Sequence, residues 1–206
     1  MTDPEIWNKV EEFRSQHAPH LNAEMIPLDL VTFADLELKL DLIPYDGLRG
    51  AFDADAAVLG DFSGFYIDGS VFDRLESLGR SEQNRLRFSL AHELGHWVLH
   101  REIFQSAGIS NSEALREWLN DHGGDRYGIE RQANEFAGRL LVPISVLGPV
   151  FEKFAGSYDA NFGSHGWQSR PDLRGQVCEL LSQKFGLHPD GISVRLDRER
   201  LWPSIF

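Results

Sequence analysis

The chain has 206 residues, 42% of them hydrophobic, which is enough for one well-buried core with a small appendage. Its 20 basic and 32 acidic residues give a formal charge of −12, the wrong sign for a surface that tracks phosphates, so direct nucleic-acid binding is not expected. Met1-Thr2-Asp3-Pro4-Glu5-Ile6-Trp7 lacks the basic-then-apolar order of a signal peptide, Pro143 and Pro149 interrupt the most apolar stretch, and the single Cys178 cannot close an internal disulfide. A soluble cytoplasmic protein without membrane contact is the expectation.

Residues 5–16 and 28–38 read as helices, the second starting near Pro27 with Leu28, Val31, Leu36 and Leu38 as its packed side. Short strands are expected at 40–45, 47–52 and 64–67, separated by Asp- and Gly-rich turns. The last of them is the candidate edge strand for aligning an extended substrate by strand addition. A helix over 82–101 follows, apolar on nearly every side at Phe88-Ser89-Leu90-Ala91 and Trp97-Val98-Leu99, and therefore expected in the core.

That helix contains His92-Glu93-Leu94-Gly95-His96. An H-E-x-x-H pattern puts two imidazoles one turn apart on one face, able to grip a single zinc ion. Glu93 lies about 100° around the helix from His92, where it can stay off the metal and take a proton from water. The bland alternative is a buried helix with two unrelated histidines. Gly95 costs about 1 kcal/mol relative to Ala inside a helix, which implies that another element packs closely there.

His100 is the nearest candidate for a third ligand, but eight residues put it roughly 12 Å along the axis from His92. It is therefore expected behind the ligands rather than on the metal. The spacing H-E-x-x-H-x-x-G-x-x-H does not apply either, because Leu99 and Glu102 occupy the corresponding places. Residues 105–128 read as a polar connection with a helix at 112–121, suited to a lid or docking element. The next helix, 129–143, is stopped by Pro143. On it Glu130, Ala133, Asn134, Ala137 and Leu141 share one arc, whereas Arg131, Gln132, Glu135 and Arg139 fall opposite, with Glu135 read as a solvated charge. A carboxylate on the inward face is costly unless paired or metal-bound, so Glu130 is the candidate third ligand, with an ion pair to Arg85 or Arg87 as the alternative. Asn134, one turn later, can hydrogen-bond a ligating imidazole.

Beyond Pro143 a helix is expected to about 155, then a loop over 156–167 with exposed aromatics, a helix over 173–185, and a turn into a second helix by 192–196. From 165 to 206 there are six Lys/Arg and five Asp/Glu, too balanced for a phosphate-binding patch, so packing on the core is the favoured role. This divides the chain into a core at 1–155 and a C-terminal helical region at 156–206.

Arg87-Phe88-Ser89-Leu90-Ala91-His92-Glu93-Leu94-Gly95-His96-Trp97-Val98-Leu99-His100, followed by Glu130-x-x-Ala133-Asn134-x-Phe136-Ala137-x-x-Leu140-Leu141-Val142-Pro143, resembles the ImmA/IrrE family of zinc metallopeptidases. The similarity runs from about Pro27 to Pro143, with 64–68 resembling the strand that precedes the family's zinc helix. Departures are Val142 where Met is usual, and 33 residues between His96 and Glu130, which bear on substrate access. The resemblance implies an α+β, zincin-like core with a small sheet beside the HExxH helix, followed by a helix-turn-helix-like region. It makes His92, His96 and Glu130 the ligands of one Zn2+ and Glu93 the catalytic base; Mn2+ or Fe2+ can also occupy such a site. It further implies limited cleavage of a protein partner, a helix-turn-helix repressor or an antitoxin. An acidic chain would attract a basic partner of that kind. The residues alone leave two alternatives: a non-catalytic protein-binding module with a structural zinc, and a zinc hydrolase acting on something other than a peptide. Tyr127, Tyr66 and His165 are candidates for stabilising an oxyanion, and spacing does not choose among them.

Overall fold

A computed structural model describes residues 1–19, 23–106, 108, 123–163 and 166–202. Helix α1 (Asp3–His17) opens on Thr2, whose backbone N–H donates to the Glu5 carboxylate at 2.7 Å, and it buries Ile6, Val10 and Phe13. Helix α2 (Leu30–Thr32) is capped by the Asp29 carboxylate, which accepts the Thr32 N–H at 3.1 Å. It then widens over Phe33–Glu37, where the Leu38 N–H reaches back to the Phe33 carbonyl. The wider turn changes the phase of the helix, so Leu36, expected in the packed face, is 62% exposed while Phe33 and Ala34 are buried.

Strand β1 (Asp41–Tyr45), the short helix α3 (Leu48–Phe52), and strands β2 (Ala56–Val58) and β3 (Gly64–Asp68) follow. The sheet order is β1-β3-β2, with β1 parallel and β2 antiparallel to β3. Two expectations are corrected here. Residues 47–52 are not a strand, because the buried Asp68 carboxylate accepts the Arg49 N–H at 2.9 Å and starts a helical turn there. So short an apolar run does not separate helix from strand by period. Residues 64–67 form the central strand rather than an edge, and the edge beside the HExxH helix is β2. Gly64 is required where it stands, since a Cβ would enter the Asp41 backbone of β1.

Helix α4 (Gly69–Phe72) and a turn at Leu75–Ser77 lead into α5 (Arg80–Leu99), the HExxH helix, and α6 (Arg101–Ser106) continues from it. Helix α7 (Gly123–Leu141) packs along α5. They come close where Gly95 predicts: a Cβ at 95 would lie 2.9 Å from the Ala133 Cα. Pro143 ends α7 and begins α8 (Ile144–Phe162), which runs through Pro149 and past the expected end near 155. Helices α9 (Pro171–Phe185) and α10 (Pro189–Arg198) are the last among the described residues. Among the described residues the fold is α+β, mostly helical with one small three-stranded sheet. The expected helix at 112–121 lies outside the described residues. No single helix is long and apolar enough to cross a membrane among the described residues.

The C-terminal helices are fastened to the outer side of α7, which corrects the reading of Glu135 as solvated. Glu135 is 7% exposed; it accepts the Trp7 Nε1–H at 2.6 Å and pairs with Arg195 of α10 at 3.3 Å. Arg139, on the same face, stacks on Trp7 and pairs with Glu199, which in turn pairs with Arg195. Helices α1 and α10 cover this face, and a wheel drawn for α7 alone does not include them. Trp167, expected in an exposed loop, is fully buried against Phe151 and Trp202, with its indole N–H on Asp159 at 2.7 Å. Between α9 and α10, Gly186 has φ +62 and its carbonyl accepts from Arg87 of α5 at 2.8 Å; a Cβ there would meet that guanidinium and Pro27.

Candidate metal centre

Helix α5 presents His92 and His96 on one side, and α7 brings Glu130 up to them. The facing Nε2 atoms of the two imidazoles are 2.9 Å apart. Glu130 places Oε2 3.1 Å from His92 Nε2 and Oε1 3.8 Å from His96 Nε2. Ligands about 2.0–2.2 Å from a tetrahedral zinc stand roughly 3.3 Å from one another, so these three donors fit one divalent cation. The Gly95–Ala133 contact is what allows the two helices to come this close.

Each imidazole is held from behind. His92 Nδ1 faces the Asn134 side-chain oxygen at 3.0 Å, which puts its proton on Nδ1 and leaves the Nε2 lone pair for a metal. Asn134 itself lies exposed at the rim of the site. His96 Nδ1 faces His100 Nδ1 at 3.0 Å, and His100 Nε2 faces the Gln132 side-chain oxygen at 3.2 Å. The His96 ring stacks on Phe104 with centroids 5.6 Å apart.

Glu93 belongs to the same cluster, its donor atoms within 4.8 Å of those of His92 and His96. One of its oxygens accepts the Val58 N–H at 2.8 Å. That N–H is available because antiparallel pairing alternates. The Asp68 N–H bonds the Asp55 carbonyl and the Leu59 N–H bonds the Gly64 carbonyl, so the backbone groups of Ala56 and Val58 turn away from β3 toward α5.

The ionisable groups of the centre are shifted in different directions. Burial pushes the Glu93 carboxyl up to about 7, against the lowering effects of His92 and the Val58 N–H. Burial alone would lower His92, but its hydrogen bond to Glu130 and the charges of Glu93 and Glu130 prevail and raise it. His96 lies well below the ordinary imidazole value because of burial first, then the neighbouring His92 and His100. Burial also lowers His100.

The centre opens into a groove of about 1420 Å³ running back along α5 toward Arg80. Helix α3 and strand β2 form one wall, and Glu179, Gln183, Leu187 and Pro189 of the α9–α10 corner form the other. His92, Glu93, His96, Glu130, Asn134 and His100 are thus all brought together. Arg85 and Arg87, the alternative partners for Glu130, are engaged elsewhere: Arg85 with Asp53 and buried Asp55, Arg87 with the carbonyls of Leu28 and Gly186. Of the candidate oxyanion donors, Tyr66 sits in the central strand against Tyr45, outside the groove lining. The Tyr127 side chain and His165 lie outside the described residues. Sequence reading missed the Val58 N–H, which has no side-chain signature, and Gln132, which it placed on the face opposite Glu130.

Residues 79–165 match the Peptidase_M78 family, described as the IrrE N-terminal-like domain. The match begins just before α5 and includes both helices that supply the donors. No curated protein matches the chain.

Proposed function

We propose that the chain, whose residues 79–165 match the IrrE N-terminal-like domain of the Peptidase_M78 family, is a metallopeptidase with a zincin-like core, making limited cleavages in a protein partner. The observation that carries this reading is the division of labour around α5. Two imidazoles and Glu130 converge on one point, while Glu93 is held beside them by the Val58 N–H. His92, His96 and Glu130 would hold the ion; two imidazoles and a carboxylate suit zinc first, with manganese or iron as alternatives. When bound, the metal supplies Lewis acidity, polarising a peptide carbonyl and acidifying water.

The remaining steps belong to the chain. Glu93, with a carboxyl raised to about 7, takes a proton from water as the water oxygen bonds to the carbonyl carbon. It returns the proton to the amide nitrogen as the C–N bond breaks. With the Val58 N–H taken by Glu93, the edge of β2 offers the backbone groups of Ala56 and the Val58 carbonyl to an extended chain lying in the groove, in place of the expected strand at 64–67. The floor runs along α5 from Arg80 to His96, roughly 24 Å at 1.5 Å per residue, a length matched by about seven extended residues. The partner we favour is a helix-turn-helix repressor or an antitoxin, met in the cytoplasm; the net charge of −12 supports a basic partner. The α9–α10 pair, helix-turn-helix-like in sequence, acts here as a wall of the groove rather than as a DNA reader.

Elemental analysis of protein purified without a metal-affinity step, combined with digestion of a pool of internally quenched peptides of about eight residues, tests the proposal. Wild type and Glu93→Gln should carry near-stoichiometric metal, and only wild type should cut, with Glu93→Gln slower by at least about a hundredfold. Metal in neither protein after zinc is restored, or full cleavage by Glu93→Gln, overturns it.

A further inference from the structure

The two imidazoles that face Glu130 are supported differently. His92 has an amide oxygen directly behind it, at the rim. Behind His96 stands a second imidazole, and only behind that an amide: Gln132 Oε1 to His100 Nε2 at 3.2 Å, His100 Nδ1 to His96 Nδ1 at 3.0 Å. His100 is fully buried, and Phe104 lies against both rings, so neither ring is free to swing to another partner.

Behind the centre, the contact between the Nδ1 atoms of His96 and His100 contains one hydrogen, which ties the tautomers of these two rings together. With the Gln132 oxygen facing His100, the His100 proton sits on Nε2 and its Nδ1 is an acceptor. His96 then carries its proton on Nδ1 and turns a lone pair on Nε2 toward His92 and Glu130. Were the amide reversed, its NH2 would donate to His100 Nε2, His100 would donate from Nδ1, and the His96 proton would move to Nε2, where it blocks a metal. The identity and orientation of one amide, two residues removed, therefore decide whether His96 can ligate. We propose that Gln132 is a positioning residue that, acting through His100, sets the tautomer of His96 and so the metal affinity of the centre. This rests on the reading of His96 as a ligand.

The side chain at 132 can be varied without touching a donor. Gln132→Glu offers an oxygen that only accepts, Gln132→Leu offers nothing, and both keep the length of the side chain within a methylene. Two readouts apply: zinc affinity by competition with a chromophoric chelator, and the protonated nitrogen of His96 and His100 from two-bond 15N–1H correlations on the metal-free protein. Wild type and Gln132→Glu should show His96 protonated on Nδ1 and His100 on Nε2. Gln132→Leu should mix the tautomers and bind zinc about 10–100-fold more weakly. Unchanged affinity and tautomers in Gln132→Leu overturn the proposal, as does a failure of folded Gln132→Glu to restore both. Should wild type bind no zinc, the peptidase reading fails, and the 15N pattern still decides whether Gln132 controls the His96 proton.

Discussion

Helix α7 has two polar faces that resemble each other in composition and differ in what they meet. On the inner face Glu130 turns its carboxylate to His92 and His96, with Asn134 supporting His92 one turn away. On the outer face Glu135 meets Arg195, and Arg139 meets Glu199. A carboxylate opposite guanidinium groups that stay charged at any working pH is a brace, and its charge is accounted for within the protein. Opposite two imidazoles that share a centre with a second carboxylate, the same group makes a place for a cation. Partners, not residue type, distinguish the two glutamates.

Exchanging each for alanine tests this division most severely. Glu135→Ala leaves Arg195 with Glu199 alone and strands the Trp7 indole N–H, so it should cost about 3 kcal/mol of unfolding free energy in urea. Zinc affinity of the folded protein should stay at the wild-type value. Glu130→Ala should lower zinc affinity at least about a hundredfold while changing metal-free stability by less than about 1 kcal/mol. If Glu135→Ala stripped the metal at unchanged stability, the two faces would not be separable as described.

Much of the inner face was legible because its information is local. His92, Glu93 and His96 lie within five residues of one helix, and Glu130 and Asn134 within one arc of another, so helical period alone groups them. The outer face depends on residues 60 and 128 positions from Glu135, Arg195 and Trp7, and no period of α7 announces that α1 and α10 will cover it. The same limit explains the strand expected at 47–52. A carboxylate from Asp68, beyond the reach of local pattern, caps that segment into a helix, and the sheet takes 56–58 instead. Gln132 illustrates a third case. The helical wheel placed it away from Glu130, yet a glutamine is long enough to reach round to buried His100.

Gly95 joins the two helices on which the comparison depends, and a methyl group there gives a smaller, more diagnostic effect. The added Cβ would press on the Ala133 backbone, which cannot rotate aside, so α5 and α7 must part. Gly95→Ala should cost roughly 1–3 kcal/mol, even though alanine is the better helix former. It should also weaken zinc, because Glu130 moves with α7. A stable variant with wild-type zinc affinity would mean that Glu130 reaches the centre without help from the close approach.

The smallest effect belongs to Asp3, which extends the outer network to the first turn of α1 by pairing with Arg131 of α7 and Arg198 of α10. The Arg131 hydrogen bond, opposed by partial burial and assisted by the charges of Arg198 and Arg131, holds its carboxyl below the ordinary value. A carboxylate whose folded value is depressed adds stability that is fully present above its unfolded value, near 3.9, and is lost as pH falls through the folded one. Asp3→Asn should therefore cost less than about 1 kcal/mol at neutral pH, and the gap to wild type should close in acid. Urea unfolding of the two proteins at pH 7 and at pH 3 measures that gap directly. Taking the difference removes the other acid-sensitive carboxylates, such as Asp68 and Glu82, common to both proteins. A gap that persisted unchanged at pH 3 would assign the effect to helix capping or packing rather than to charge. Zinc affinity at pH 7 should not respond to Asp3, since neither it nor its partners Arg131 and Arg198 touch the metal centre.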